Sequence, residues 1–174
     1  MGQTGTLRDA LMSTAGQLEK APPGAVQSVF TVRTELVERV RVKATIRQFT
    51  IDVDEPPALG GTDQGPNPVE LVLAALGTCE EIVYAAYAAV LGIPLDSVGV
   101  TVRGTLDPRG LFGVADVPAG FSDIRCEVEL ASTAPPEQIV RLAEIVEARC
   151  PVLDVLSRPV AVGTSISLNG KGLV

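Results

Sequence analysis

Two cysteines, Cys79 and Cys150, stand in the settings of this chain best suited to chemistry. Cys79 falls inside an apolar helical run entered through Gly65-Pro66-Asn67-Pro68-Val69-Glu70-Leu71, and Cys150 stands immediately before Pro151 and Val152. A dithiol of this kind opens and closes: one thiolate attacks, and a second thiol resolves the oxidised product. Their separation matches no metal-binding or redox spacing. The same residues also read as two buried cysteines serving as small hydrophobes, the usual behaviour of free cysteine.

The chain contains no histidine. That removes the imidazole base, the Ser/His and Cys/His pairs, and most zinc or iron sites, so neither a metal nor a cofactor is expected. The net charge of −7 argues against an electrostatic grip on nucleic acid or anionic lipid. Aromatic residues at 3% leave no stacking platform for bases, whereas 46% hydrophobic residues describe an aliphatic core. A chain of 174 residues fits one domain with a sizeable interior.

Arg8, Asp9, Glu19 and Lys20 break up the first twenty residues, so no secretory run is read there, and three cysteines without such a signal point to a reducing, cytoplasmic setting. The opening Met1-Gly2-Gln3-Thr4-Gly5-Thr6 fits the loose N-myristoylation pattern, which is often met by chance. Val69 to Leu91 is apolar enough to invite a membrane-spanning reading, but Glu80 and Glu81 stand at its middle, where the bilayer penalises charge most. It is read as a buried helix, about 34 Å long at 1.5 Å per residue.

The elements that must position the thiols follow from periodicity. Thr6 to Lys20 reads as a helix with Thr6 as N-cap, ended by Ala21-Pro22-Pro23-Gly24. Residues 27–54 alternate with period two and hold two or three strands, with no clear turn signal between Thr45 and Gln48. Residues 54–68 are dense in Pro and Gly and form a loop, lacking any phosphate-binding glycine pattern. Asn67 caps the long helix, Pro68 takes its first position, and Gly92 stops it. Strands follow at Ser97 to Leu106 and Ser122 to Ala131, around a Gly/Pro-rich excursion from Asp107 to Gly120. Thr133 caps a helix running to about Arg149, a helical turn opens at Cys150-Pro151, and Pro159 to Leu168 reads as a closing strand.

On the long helix Val72, Leu76, Cys79, Val83, Ala86 and Val90 share an apolar stripe, with Glu70 and Glu81 near the opposite face and Glu80 roughly 100° round. Ile139, Leu142, Ala143, Val146 and Cys150 share another, so a meeting of the two thiols is geometrically allowed. Cys126 alternates with polar neighbours on a buried strand face and is read as structural. A buried thiol is inert unless a cation or helix N-terminus stabilises its thiolate. Cys150 is placed for the second, and Arg39, Arg41, Lys43 or Arg47 could supply the first, unless that basic strand face is simply solvated.

Residues 65–79, the segment Cys150-Pro151-Val152-Leu153-Asp154-Val155-Leu156, and the leaders Phe49 to Pro56 and Gly60-Gly61 together resemble the OsmC/Ohr family. The likeness runs from about Val29 to Leu168, so residues 1–26 are expected to form a helical extension and 27–174 the OsmC-like domain. The resemblance implies an α+β fold in which antiparallel sheets wrap around long central helices in an intertwined homodimer. It also implies a cysteine-based peroxidase of oxidative-stress defence that reduces organic hydroperoxides. Carried over, Cys79 is the peroxidatic thiol, Cys150 the resolving thiol and Arg39, with Arg41 and Arg47 as rivals, the activating cation, while an external dithiol reopens the disulfide. The family's peroxidases carry a glutamate where this chain has Val69; Glu70 is shifted by one position. That departure, with Glu80 and Glu81 beside Cys79, supports a competing reading: a non-enzymatic dimeric module that binds a small apolar or thiol ligand.

Overall fold

The structure is a computed structural model that describes residues 6–173. Apart from Thr6, the lipidation pattern lies outside the described residues. Helix α1 (Leu7–Lys20) opens on a capping box in which the Thr6 hydroxyl accepts the Asp9 N–H and the Asp9 carboxylate accepts the Thr6 N–H. Strands β1 (Arg33–Glu38), β2 (Arg41–Ile46) and β3 (Phe49–Val53) form an antiparallel meander. Its two turns are made without glycine, by Arg39 and Arg47, both at positive φ (50° and 56°). The second turn falls where the sequence gives no turn signal.

The loop from Asp54 to Asn67 is held by one side chain. Asp54, 1% exposed, accepts N–H groups from Glu55, Thr62 and Gln64 and the Thr62 hydroxyl. A Cβ at Gly61 would lie 1.8 Å from the Glu55 carbonyl oxygen, so only glycine fits where the loop closes on itself. The loop delivers the chain to α2 (Pro68–Leu91), whose capping box joins Asn67 and Glu70: each side chain accepts the other's backbone N–H. Gly92, left-handed at φ 69°, ends α2.

Beyond α2, strands β4 (Ser97–Leu106) and β5 (Phe121–Ala131) form a long hairpin whose inward residues alternate along both strands, with Val102 opposite Cys126. Between them lies a single short helix, α3 (Pro108–Leu111). Helix α4 (Pro136–Arg149) runs into α5 (Pro151–Ser157) through Cys150. The N-cap of α4 is Pro135 rather than the expected Thr133, because Ser132 Oγ accepts the Ala134 N–H and takes over the turn. The core is formed where Tyr84 and Ala88 of α2 meet Leu142 and Val146 of α4, roofed by Val98, Val128 and Leu130 of the hairpin. Gly77 lets α2 approach β4, since a Cβ there would already sit 3.2 Å from Val102 Cγ2. The Glu81 carboxylate accepts the Val100 N–H at 3.1 Å and so pairs an amide on the free edge of β4.

Two regions find no cover in their own chain. The expected closing strand over Pro159 to Leu168 is not formed: only Ser167–Leu168 (β6) pairs, with Lys171–Gly172 (β7), and Val162 is 88% exposed. A strand needs a ladder, and among the described residues no strand of the same chain offers this segment one. The β1–β3 sheet likewise makes no extended contact with α2, and Leu36 and Val37, on its opposite faces, are both exposed.

The Asp54 clamp is testable by pH. Hydrogen bonding by Thr62, outweighing the opposing effect of burial and aided by the backbone amides, holds the Asp54 carboxyl down from 3.8 to about 2. A lowered folded value gives stability that is complete above pH 3.8 and is lost as pH falls through about 2. Asp54→Asn is expected to lower Tm at pH 7 and to show a shallower acid-induced decline than wild type across that window. Parallel declines in thermal melts of the two proteins would contradict the clamp.

Candidate active site

Leu76, Glu80, Tyr84 and Ala88 recur every four residues and form the face of α2 that packs into the chain's own core. This corrects the expected seam. Glu80, only 6% exposed, is an interior residue, and Cys79 lies on the border between that face and the outer one. Val72, Ala75 and Ile82, beside Cys79 on the outer face, are exposed.

Cys150 lies at the α4–α5 junction and is fully buried. Cys79 is the neighbouring side chain that acts on it. Desolvation is the largest influence on Cys150 and pushes its thiol up; a hydrogen bond and negative charge at Cys79 push it further the same way. The Leu153 and Val152 amides oppose this as oriented dipoles, though no cap hydrogen bond forms to the sulfur. Within the pair, Cys150 is therefore held as the protonated thiol.

The third cysteine is part of the same cluster. Cys126, on the inward side of β5, is half-buried rather than fully enclosed, and it faces Glu80 of α2. Desolvation first, then the charge and hydrogen bond of Glu80, raise Cys126 from 9.0 to about 11, with a smaller push from Cys150. Glu80 is raised as well, by burial first; the Cys126 hydrogen bond partly offsets this, and Glu147 of α4 adds to it. Cys126 also lines a cleft of about 290 Å³ with Leu76, Ile124, Leu153 and Leu156. Its place against Glu80 was not legible in the sequence, because strand alternation gives a face but not what lies across from it.

Arg39 is not part of this cluster within one chain. It stands in the β1–β2 turn and borders a small cavity with Arg41, Asp54 and Thr62. The groups that act most on Cys150, Cys126 and Glu80 are one another, Cys79, Glu147 and the two amides. Its rivals are engaged: Arg41 pairs with Glu38 at 3.7 Å, Lys43 with Asp52 at 4.0 Å, and the Arg47 guanidinium lies 5.2 Å from the Phe49 ring centroid. Among the described residues Arg39 makes no ion pair. Glu70 is committed to the α2 cap and does not take the place of the glutamate absent at Val69.

A long central helix packed on a second helix, backed by a two-stranded hairpin and led by a meander, defines a class of α+β proteins. Residues 61–165 match the model of the OsmC-like protein family, and the chain belongs to that family. Solved structures agree on the fold. An OsmC-like protein from Mycoplasma pneumoniae is 22% identical, with TM-score 0.66 over 76% of this chain and 89% of its own. An organic hydroperoxide resistance protein OsmC from Legionella pneumophila is 21% identical, with TM-score 0.56 over 75% of this chain and 91% of its own. An organic hydroperoxide resistance protein from Elizabethkingia anophelis, with thiocyanate bound, is 16% identical, with TM-score 0.56 over 74% and 89%. No curated protein is significantly similar in sequence.

Two measurements check the electrostatics. A shift from 9.0 to about 11 lowers the Cys126 thiolate population at pH 8 roughly 100-fold, so iodoacetamide should modify Cys126 far more slowly than a free cysteine. Comparable rates would contradict the burial and hydrogen bond described. Because the folded Glu80 carboxyl is raised above 4.5, ionisation costs stability once pH exceeds that value. Glu80→Gln should therefore melt higher than wild type at pH 7 to 8, with the gain vanishing below pH 4.5.

Proposed function

We propose that the chain is a homodimeric, cysteine-based peroxidase that reduces organic hydroperoxides in a reducing, cytoplasmic setting. The observation that carries the reading is the juxtaposition of a border-placed Cys79 with a buried, protonated Cys150. The Cys79 thiolate attacks the outer peroxide oxygen, the O–O bond breaks, and the alkoxide leaves and is protonated to the alcohol. Cys79 is then a sulfenic acid. The Cys150 sulfur condenses with it, releasing water and forming the Cys79–Cys150 disulfide, and an external dithiol restores both thiols. The half-exposed position of Cys79 gives a peroxide access, and the proton on Cys150 keeps it from competing for that peroxide.

The dimer is supported by what the single chain leaves open. Ile82, 68% exposed, shares the outer face of α2 with Val72 and Ala75, and the sheet and C-terminal segment lack cover. A second copy covers these surfaces and provides ladders for unpaired strands. Arg39 then serves across the interface as the cation that holds the Cys79 thiolate and orients the peroxide. The relatives named for organic hydroperoxide resistance support the substrate class, and residues 1–26 are then an extension docked through α1 on α2.

An apolar site favours organic substrates, because each buried CH₂ contributes about 0.8 kcal/mol. Wild type should consume tert-butyl hydroperoxide faster than hydrogen peroxide, and Cys79→Ser should consume neither. Arg39→Gly should keep or raise Tm, by relieving the turn, while losing most of the rate. Light scattering should return a dimer for wild type and a smaller species for Ile82→Glu; a folded wild-type monomer would contradict the assembly. The binding-module reading remains distinct: it predicts that Cys79 alkylates no faster than free cysteine at any pH and that peroxide is not consumed.

A further inference from the structure

We infer that α1 and the C-terminal half of α2 form a groove that takes the tail of a long, unbranched alkyl hydroperoxide whose peroxide group lies at Cys79. The inference rests on the proposed peroxidase reading for the chemistry at Cys79, but occupation of the groove can be tested without turnover.

The groove is a cavity between two helices. Leu11, Ala15 and Leu18 of α1 and Ala86, Tyr87 and Val90 of α2 line a space of about 300 Å³, and no charged side chain borders it. Helices packed as a core interdigitate and leave few voids larger than a water molecule. Here small side chains, Ala15 and Ala86, stand on both walls, and Met12 and Leu18 of α1 remain 51% and 55% exposed. Two polar residues share the lining. Thr14 donates its hydroxyl to the Ala10 carbonyl at 3.0 Å, which leaves the Tyr87 phenol. A cavity of this composition suits an apolar ligand of small cross-section. Helix α1 lies outside residues 61–165, so one wall of the groove comes from a segment beyond the family match.

The path to the groove is laid out on α2. Cys79, Val83, Ala86 and Val90 follow at spacings of four, three and four residues and so share one stripe of the helix. All four are half-buried, whereas Ile82 to one side is exposed and Glu80 and Tyr84 to the other are buried. The stripe is therefore the border between the core-facing and outer sides, and its last two members are walls of the groove. Ala86 and Val90 stand seven and eleven residues beyond Cys79, roughly 10.5 and 16.5 Å along the axis at 1.5 Å per residue. A tert-butyl or cumyl group held at Cys79 ends short of that distance. An extended decyl chain reaches past Ala86, and there it exchanges water for aliphatic walls. The groove thus selects for chain length, and α1 is the element that confers the selection.

The test uses the full chain and begins with binding. The reduced protein is treated with iodoacetamide alone, with decanol or with tert-butanol, and labelling of Cys79 is timed by peptide mass spectrometry. Saturating decanol should slow the labelling at least tenfold, and tert-butanol at the same concentration should leave it unchanged. Ala15→Trp, at a position exposed on α1, fills the groove and should abolish the protection; Ala86→Leu narrows it from the other wall and should weaken it. In turnover, kcat/KM for decyl hydroperoxide should exceed that for tert-butyl hydroperoxide at least tenfold in wild type, and the ratio should fall towards one in Ala15→Trp. Equal protection by the two alcohols, or decanol protection that survives both substitutions, overturns the groove. If decanol protects Cys79 through the groove but neither hydroperoxide is consumed, the groove stands and the peroxidase reading fails.

Discussion

The packing of Leu76, Glu80, Tyr84 and Ala88 of α2 against Leu142 and Val146 of α4 and the β4–β5 hairpin sets the position of every thiol in the molecule. Turning that face inward fixes the rotation of α2 about its axis, and the rotation leaves Cys79 on the border with the outer face. The same α4 contact ends its helix at Cys150, so the second sulfur is delivered to the flank of the first. Gly77 and the Glu81–Val100 hydrogen bond hold the hairpin close enough for Cys126 to face Glu80. A helix that is apolar on both sides builds the core of its own chain with one side and leaves the other exposed.

The electrostatics of the centre follow from this burial. Desolvation is the leading influence on Cys150, Cys126 and Glu80, and in each case it favours the neutral form. Two of the three thiols are thereby held towards the neutral form. Cys79, at the border of the same face, is half-exposed. The cation that the proposed chemistry requires is absent from the cluster within one chain, while Arg39 is without an ion pair among the described residues.

The two helix caps, the hairpin strands and the α4 stripe were legible in the sequence because each depends on local pattern: Asn67 and Pro68 for the α2 start, Gly92 for its end, alternation for β4 and β5. The β2–β3 turn was not, because Arg47 adopts a left-handed conformation without the glycine or asparagine that would advertise it. The stretch from Pro159 carries strand alternation but no partner within its own chain, so pattern alone overstated it. Glu80 was misplaced because an apolar stripe drawn through Cys79 is equally regular; only tertiary packing decides which of two neighbouring stripes turns inward. The pairing of Cys79 with Cys150 came from a family likeness whose motifs flank both residues. The place of Cys126 against Glu80 joins a strand and a helix far apart in sequence, which no periodicity reports.

The central claim is that Cys79, and not one of the other two thiols, takes the peroxide oxygen. It is tested most directly in the Cys150→Ser protein, where the sulfenic acid cannot be consumed by its resolving partner. After one equivalent of cumene hydroperoxide and trapping with a dimedone-type reagent, peptide mass spectrometry should find the adduct on Cys79, with Cys126 unmodified. Cys79 left reduced, or the adduct found on Cys126, would contradict the account.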